Sequence, residues 1–102
     1  MSGYVLKAAD SPVTFVMDWR RGYLAPREQV LRDLGWTVQP APLKRERLRV
    51  AAQEHDATRS WAEFAGGAPG QVYMVTNRVR TTDDRVLSRA IVMRIALSER
   101  PK

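Results

Sequence analysis

A chain of 102 residues has room for one domain built on one hydrophobic core. The absence of cysteine excludes disulfides, thiolate metal sites and thiol nucleophiles, and no stretch approaches the roughly 18 apolar residues of a membrane span. Lysine and arginine outnumber the acids 17 to 11, for a net charge of +6, and fourteen of the 17 are arginine. Guanidinium forks suit carboxylate and phosphate partners, so the balance fits an acidic partner as well as it fits a plain solvated basic surface.

The opening, Met1 to Asp10, carries one early lysine and a short apolar patch, without the apolar run of about 7 to 15 residues that a secretory leader needs. Residues 1–11 are therefore expected to be an N-terminal arm. From Pro12 onward Val13, Phe15, Met17 and Trp19 alternate with Thr14 and Asp18, the period-2 signature of a half-buried strand. Arg20 to Pro26, with Gly22 among charges, has the composition of a loop.

Residues 27–34 read two ways. Val30, Leu31 and Leu34 suit one face of a short helical turn that starts after Pro26, whereas Val30, Leu34, Trp36 and Val38 share a strand face. Trp36-Thr37-Val38 favours a strand in the second half, and Pro40 and Pro42 should end it because neither can donate a ladder hydrogen bond. In the charged stretch Leu43 to Val50, Leu48 and Val50 alternate with Arg47 and Arg49, which fits a short edge strand guarded by charge. Gln53 to Asp56 reads as a polar loop.

Ser60 to Phe64 sets aromatics among small and charged residues, and Gly66-Gly67-Ala68-Pro69-Gly70 follows as a tight turn. Beyond it the pattern is clearest: Tyr73, Val75, Asn77 and Val79 alternate with Met74, Thr76, Arg78 and Arg80. After Thr82-Asp83-Asp84 the alternation resumes through Arg89, Ile91, Met93, Ile95 and Leu97, so the two runs predict a hairpin. Residues 98–102 should be a polar tail.

Six or seven short strands with regular turn signals predict an all-β fold, an immunoglobulin-like antiparallel sandwich in one domain over residues 1–102. Its expected core is Phe15, Met17, Trp19, Trp36, Val38, Trp61, Phe64, Tyr73, Val75, Val79, Ile91, Met93 and Ile95.

Nothing in the sequence composes a catalytic constellation. His55 is the one imidazole, and Gln53-Glu54-His55-Asp56 reads better as a loop than as a metal site. Asp83 and Asp84 are ordinary turn residues whose side chains bond their own backbone. The glycine-rich turn lacks the Lys and Ser/Thr of a phosphate loop. No catalytic residue, cofactor or metal is therefore expected. Nucleic-acid binding has a candidate basic set in Lys44 to Arg49 with Arg78, Arg80 and Arg94, but Trp19, Trp36, Trp61 and Tyr73 sit at core phases and leave few aromatics for stacking.

Two stretches carry a specific pattern. One is Phe15-Val16-Met17-Asp18-Trp19 with Leu24 and Gly35-Trp36-Thr37-Val38 before Pro40. The other is Gly66-Gly67-Ala68-Pro69-Gly70-Gln71-Val72-Tyr73-Met74-Val75-Thr76-Asn77-Arg78-Val79, continued by Asp84, Arg85, Arg89 and Ile91 to Ile95. Together they resemble the fibre-tail adaptor family of tailed phages and gene transfer agents, small immunoglobulin-like proteins of the virion. In the middle, Lys44 to Arg49 and Glu54-His55-Asp56 replace the Thr, Ser and Asn expected of the family.

The resemblance implies a non-enzymatic virion protein, made in the bacterial cytoplasm, that joins tail, neck or fibre components through protein contacts. It also implies many copies in a symmetric assembly, with no membrane partner. Asn77, Arg78, Arg80, Arg47 and Arg49 are the candidate contact residues. A capsid-surface decoration module and an accessory nucleic-acid binder are the alternatives.

Overall fold

The computed structural model describes residues 3–40 and 48–97, and these form seven strands and no helix. The strands are β1 (Gly3–Lys7), β2 (Val13–Asp18), β3 (Val30–Gln39), β4 (Arg49–His55), β5 (Arg59–Ala65), β6 (Val72–Thr81) and β7 (Val86–Ile95). One sheet runs β1-β7-β6-β3 and the other β2-β5-β4, giving a β-sandwich of four strands against three.

Alternation explains why these segments pair and which way they face. On β6 the side chains of Tyr73, Val75, Asn77 and Val79 are buried while Met74 and Arg78 are exposed, as a two-residue period requires. Ile91, Met93 and Ile95 do the same on β7, and the hairpin holds one register from Val72 opposite Arg94 to Arg80 opposite Val86. Its turn is fastened by Thr81, whose Oγ1 accepts the Asp83 and Arg85 backbone N–H groups at 3.2 and 3.3 Å. Asp84 takes the left-handed conformation there, at φ 61°, which Asp tolerates better than most residues.

The core joins both sheets. Met17, Trp19, Trp36, Leu48, Phe64, Val75, Val79, Ile91, Met93 and Ile95 are buried together, with Phe15 and Val38 partly buried against them. Trp36 of one sheet meets Phe64 of the other edge to face at 5.5 Å. Each such large apolar side chain, fully buried, stabilises the fold by roughly 1.5–3 kcal/mol. At one end the glycine turn enters this core: a Cβ on Gly67, which sits at φ 109°, would lie 2.5 Å from Ile95 Cδ1.

Several expectations need correction. Residues 27–34 contain no helical turn; β3 starts at Val30, and its register against β6 shifts between Val30 and Arg32 and again between Asp33 and Gly35. Two bulges so close together break the alternation and leave apolar residues at helix-like spacing. The sandwich is not wholly antiparallel either, because the segment read as an arm contains β1, which pairs in parallel with β7, Gly3 opposite Ile91.

The polar stretch read as a loop is strand as far as His55, at the edge of the smaller sheet, where a polar outer face meets water without cost. Trp61, expected in the core, is half-buried on the outer face of β5, because Ser60, Ala62 and Phe64 take the inward phase. The Arg59 guanidinium lies 5.8 Å from its ring. Leu48 is buried and Arg49 opens the edge strand β4, as the alternation suggested. Lys44 to Arg47 and residues 98–102 lie outside the described residues.

Candidate interaction surface

Three polar clusters fix the frame on which any surface must sit. The first crosses the interior: Trp19 Nε1 donates to Ser60 Oγ at 2.9 Å, Ser60 donates to Asn77 Oδ1 at 2.5 Å, and Asn77 Nδ2 donates to Asp33 Oδ1 and the Gly35 carbonyl, each at 2.9 Å. Asp33 Oδ1 also accepts the Gly35 N–H at 2.9 Å, which holds the second bulge of β3. Buried polar groups are tolerated when bonded in this way, and the Ser60–Asn77 bond is the one that crosses from the smaller sheet to the larger.

The second cluster closes the hairpin end. Arg85 grips the buried Glu28 with both arms of its guanidinium, at 2.9 Å from Nε and 2.5 Å from Nη2. The Ala25 N–H and the Thr81 hydroxyl donate to the same carboxylate, and Arg85 also reaches the Tyr23 carbonyl at 2.7 Å. These donors, Arg85 foremost, hold the Glu28 carboxyl down at about 2.

The third cluster is Lys7, whose buried ammonium donates to the carbonyls of Gly66 at 2.6 Å, Ala8 at 2.8 Å and Ala9 at 3.4 Å. Burial lowers its pKa, with Asp10 acting in the opposite direction.

Near the hairpin, Arg89 is spent on the fold. Its guanidinium lies 4.6 Å from the Tyr23 ring centre and 5.6 Å from that of Trp19, and it donates to the Asp18 carbonyl at 2.6 Å. The cleft beside it, about 630 Å³, is lined by Asp18, Arg20, Arg21 and Arg89, and Arg20 is paired with Asp18 at 2.6 Å.

The outer face of the four-stranded sheet is different in kind. Its residues form rows across the strands: Tyr4, Val92, Met74 and Gln39 in one, and Leu6, Arg94 and Val72 in the next. Toward the other end lie the pairs Arg78 with Gly35 and Arg80 with Arg32. One half of the face is thus apolar around a single arginine, and the other half carries three arginines with the exposed Leu31 and Val86 beside them. The outer face of the smaller sheet mixes Glu54, Glu63 and Asp18 with Arg59 around Trp61.

The four candidate contact residues that the structure describes do not come together. Asn77 is fully buried in the interior chain of hydrogen bonds, so it is a structural residue; its phase between Val75 and Val79 already pointed inward. Arg78 is exposed and Arg80 half-exposed on the outer face of β6, the latter bonded to Asp84 at 2.9 Å. Arg49 is exposed on β4 in the other sheet, and Arg47 lies outside the described residues. What the sequence reading missed is the apolar half: Tyr4 and Leu6 flank Val5 at strand spacing, a signal present in the segment read as an arm.

A family model described as Podophage GP4 fiber-tail adaptor protein gp77 matches residues 7–94. The chain belongs to this family. The match to the adaptor family begins at Lys7 and ends at Arg94, so it takes in β2 to β6 whole and most of β7. No curated protein matches the chain. Membership gives the phage fibre-tail adaptor resemblance its footing and supports a structural role as a component of the phage particle.

Proposed function

We propose that this chain is a non-enzymatic, single-domain adaptor that joins tail, neck or fibre components of the particle through protein–protein contacts, in several copies per particle. The observation that carries the reading is the family match over residues 7–94. The frame agrees with it. Among the described residues the buried Lys7, Glu28, Ser60, Asn77 and Thr81 are occupied in holding strands and turns together, and the one imidazole, His55, stands exposed at the end of an edge strand. A rigid sandwich that offers arginine and exposed apolar side chains on one face is suited to docking.

The strand order supports an immunoglobulin-like plan. Taking β2, β5 and β4 as strands B, E and D, and β7, β6 and β3 as G, F and C, reproduces the two sheets of that fold with the first strand added alongside G. Tyr73, near the start of β6, accepts the Ala68 N–H on its hydroxyl at 3.1 Å, a link from strand F back to the preceding corner that immunoglobulin-like domains use.

Purified particles of the encoding phage, probed for this chain by mass spectrometry and by antibody-labelled electron microscopy, provide the test. Label at the neck, tail or fibre base is the expected result. Label over the head would replace the adaptor by a decoration module, and absence from finished particles would overturn the proposal.

A further inference from the structure

We infer that the adaptor docks through the apolar half of its four-stranded sheet, Tyr4, Leu6, Val72, Met74, Val92 and Leu97 around Arg94, onto a different protein whose matching surface is apolar with a carboxylate at its centre. The inference rests on the adaptor reading and deepens it by naming the face and the chemistry of the partner.

The patch is contiguous and strongly exposed: Tyr4 is 62% exposed, Leu6 61%, Leu97 61%, and Val72 and Met74 48% each, on strands that register brings side by side. Tyr4, Leu6 and Leu97 line an open, shallow groove of about 480 Å³ together with Arg94 and Ala96, and Val72 and Met74 stand on the next strand. Leu97 is held there by the backbone, since it packs over Gly70, where a Cβ would come within 2.9 Å of Leu97 Cδ2.

Strand register puts Arg94 between Leu6 and Val72, one row from Val92. Among the described residues it bridges to no carboxylate. An arginine ringed by exposed apolar groups, with a tyrosine beside it, is the composition of an interface centre, where desolvation strengthens a charge-assisted bond to a carboxylate.

The same charges decide the occupant. On the described strands of this sheet no carboxylate points outward, whereas Arg94, Arg78, Arg80 and Arg32 do. A second copy laid face to face would set the arginines of one copy against those of the other, with Arg80 alone partnered, by Asp84 of its own chain. A nucleic-acid backbone could meet the arginines, but it would leave Leu6, Val72, Met74 and Leu97 against phosphate, with Tyr4 alone to stack on a base. A protein surface with an apolar field and an acidic centre satisfies both halves of the pattern.

Particles from phage lacking the gene, mixed with the purified full chain, give the test, with bound copies per particle counted by quantitative mass spectrometry. Wild type and Glu54→Lys, on the opposite sheet, should load alike, while Arg94→Glu and Met74→Glu should each load less by about tenfold or more. Melting temperatures within a few degrees of wild type show that the variants fold; having two variants keeps the test valid if one does not.

Normal loading by both variants would overturn the docking face and leave the adaptor reading standing. Failure of the wild-type chain itself to load would overturn the adaptor reading and this inference with it. A wild-type dimer in sedimentation that Arg94→Glu disperses would make a second copy the occupant. Retention of duplex DNA near physiological salt, lost in Arg94→Glu, would make it nucleic acid; either result overturns the partner assigned here.

Discussion

The Ser60 hydroxyl on β5 donates to the Asn77 side-chain oxygen on β6 at 2.5 Å, so a polar bond passes from one sheet to the other through the apolar interior. Asn77→Ala removes the acceptor of Ser60 and the donor to Asp33 and to the Gly35 carbonyl, leaving buried groups without partners. The expected cost is about 3 kcal/mol of unfolding free energy by denaturant titration. Ser60→Ala should cost about 1–2 kcal/mol, and the double variant should fall short of the sum by about 1 kcal/mol because both remove one bond. Strict additivity would deny the cross-sheet coupling.

Glu28 sets the acid limit. Its carboxyl drops from 4.5 in the ordinary state to about 2 in the fold, under Arg85 first and then the Ala25 N–H and the Thr81 hydroxyl. A depressed carboxylate contributes stability that is full above about pH 4.5 and disappears as pH falls toward about 2. Asp18 and Asp56 are also held at about 2, but in exposed ion pairs that water screens, so they add less. Thermal melts should hold level near neutrality and decline across that window. Glu28→Gln should lower the midpoint at pH 7 by on the order of 10 °C and flatten the decline.

Two glycines separate backbone strain from collision. Gly22 has φ 79° with nothing within 4 Å of an added Cβ, so Gly22→Ala should cost about 1 kcal/mol for the left-handed conformation alone. Gly67→Ala adds the contact with Ile95 Cδ1 and should cost about 3 kcal/mol. Equal losses in thermal unfolding would show that the turn yields freely.

Phe64 and Trp61 stand three residues apart on opposite faces of β5. Phe64→Ala empties the centre of the core and should cost about 4 kcal/mol, whereas Trp61→Ala removes an outer-face contact with Arg59 and should cost about 1 kcal/mol. Equilibrium unfolding of the two variants checks the facing of the strand directly.

The hairpin of β6 and β7 was legible because both strands are long, alternate without a break and meet at a turn of Thr and Asp. Where the reading went astray, a physical cause interrupted the signal. The bulges of β3 put Val30, Leu31 and Leu34 at helical spacing, and β1 has five residues whose partner strand begins more than 80 positions later, too far for local pattern to reveal. Trp61 was assigned a core phase along with Phe64, although residues three apart cannot share a strand face; the phase set by Ser60, Ala62 and Phe64 puts Trp61 outward. Arg78 and Arg80 were found as outward charges, but the apolar field around Arg94 belongs to three strands at once and exists only in the folded register.

The parallel pairing of β1 with β7 also has a bearing on timing. Gly3 meets Ile91, so β1 finds its place beside a strand more than 80 residues away, a pairing of the kind that forms slowly because the whole intervening chain must be closed into a loop. Tyr4 and Leu6 therefore join Met74, Val92 and Arg94 only after β7 is in place. A copy whose first strand has not yet paired displays no complete patch, so the docking face inferred above is the last part of the sheet to come into being.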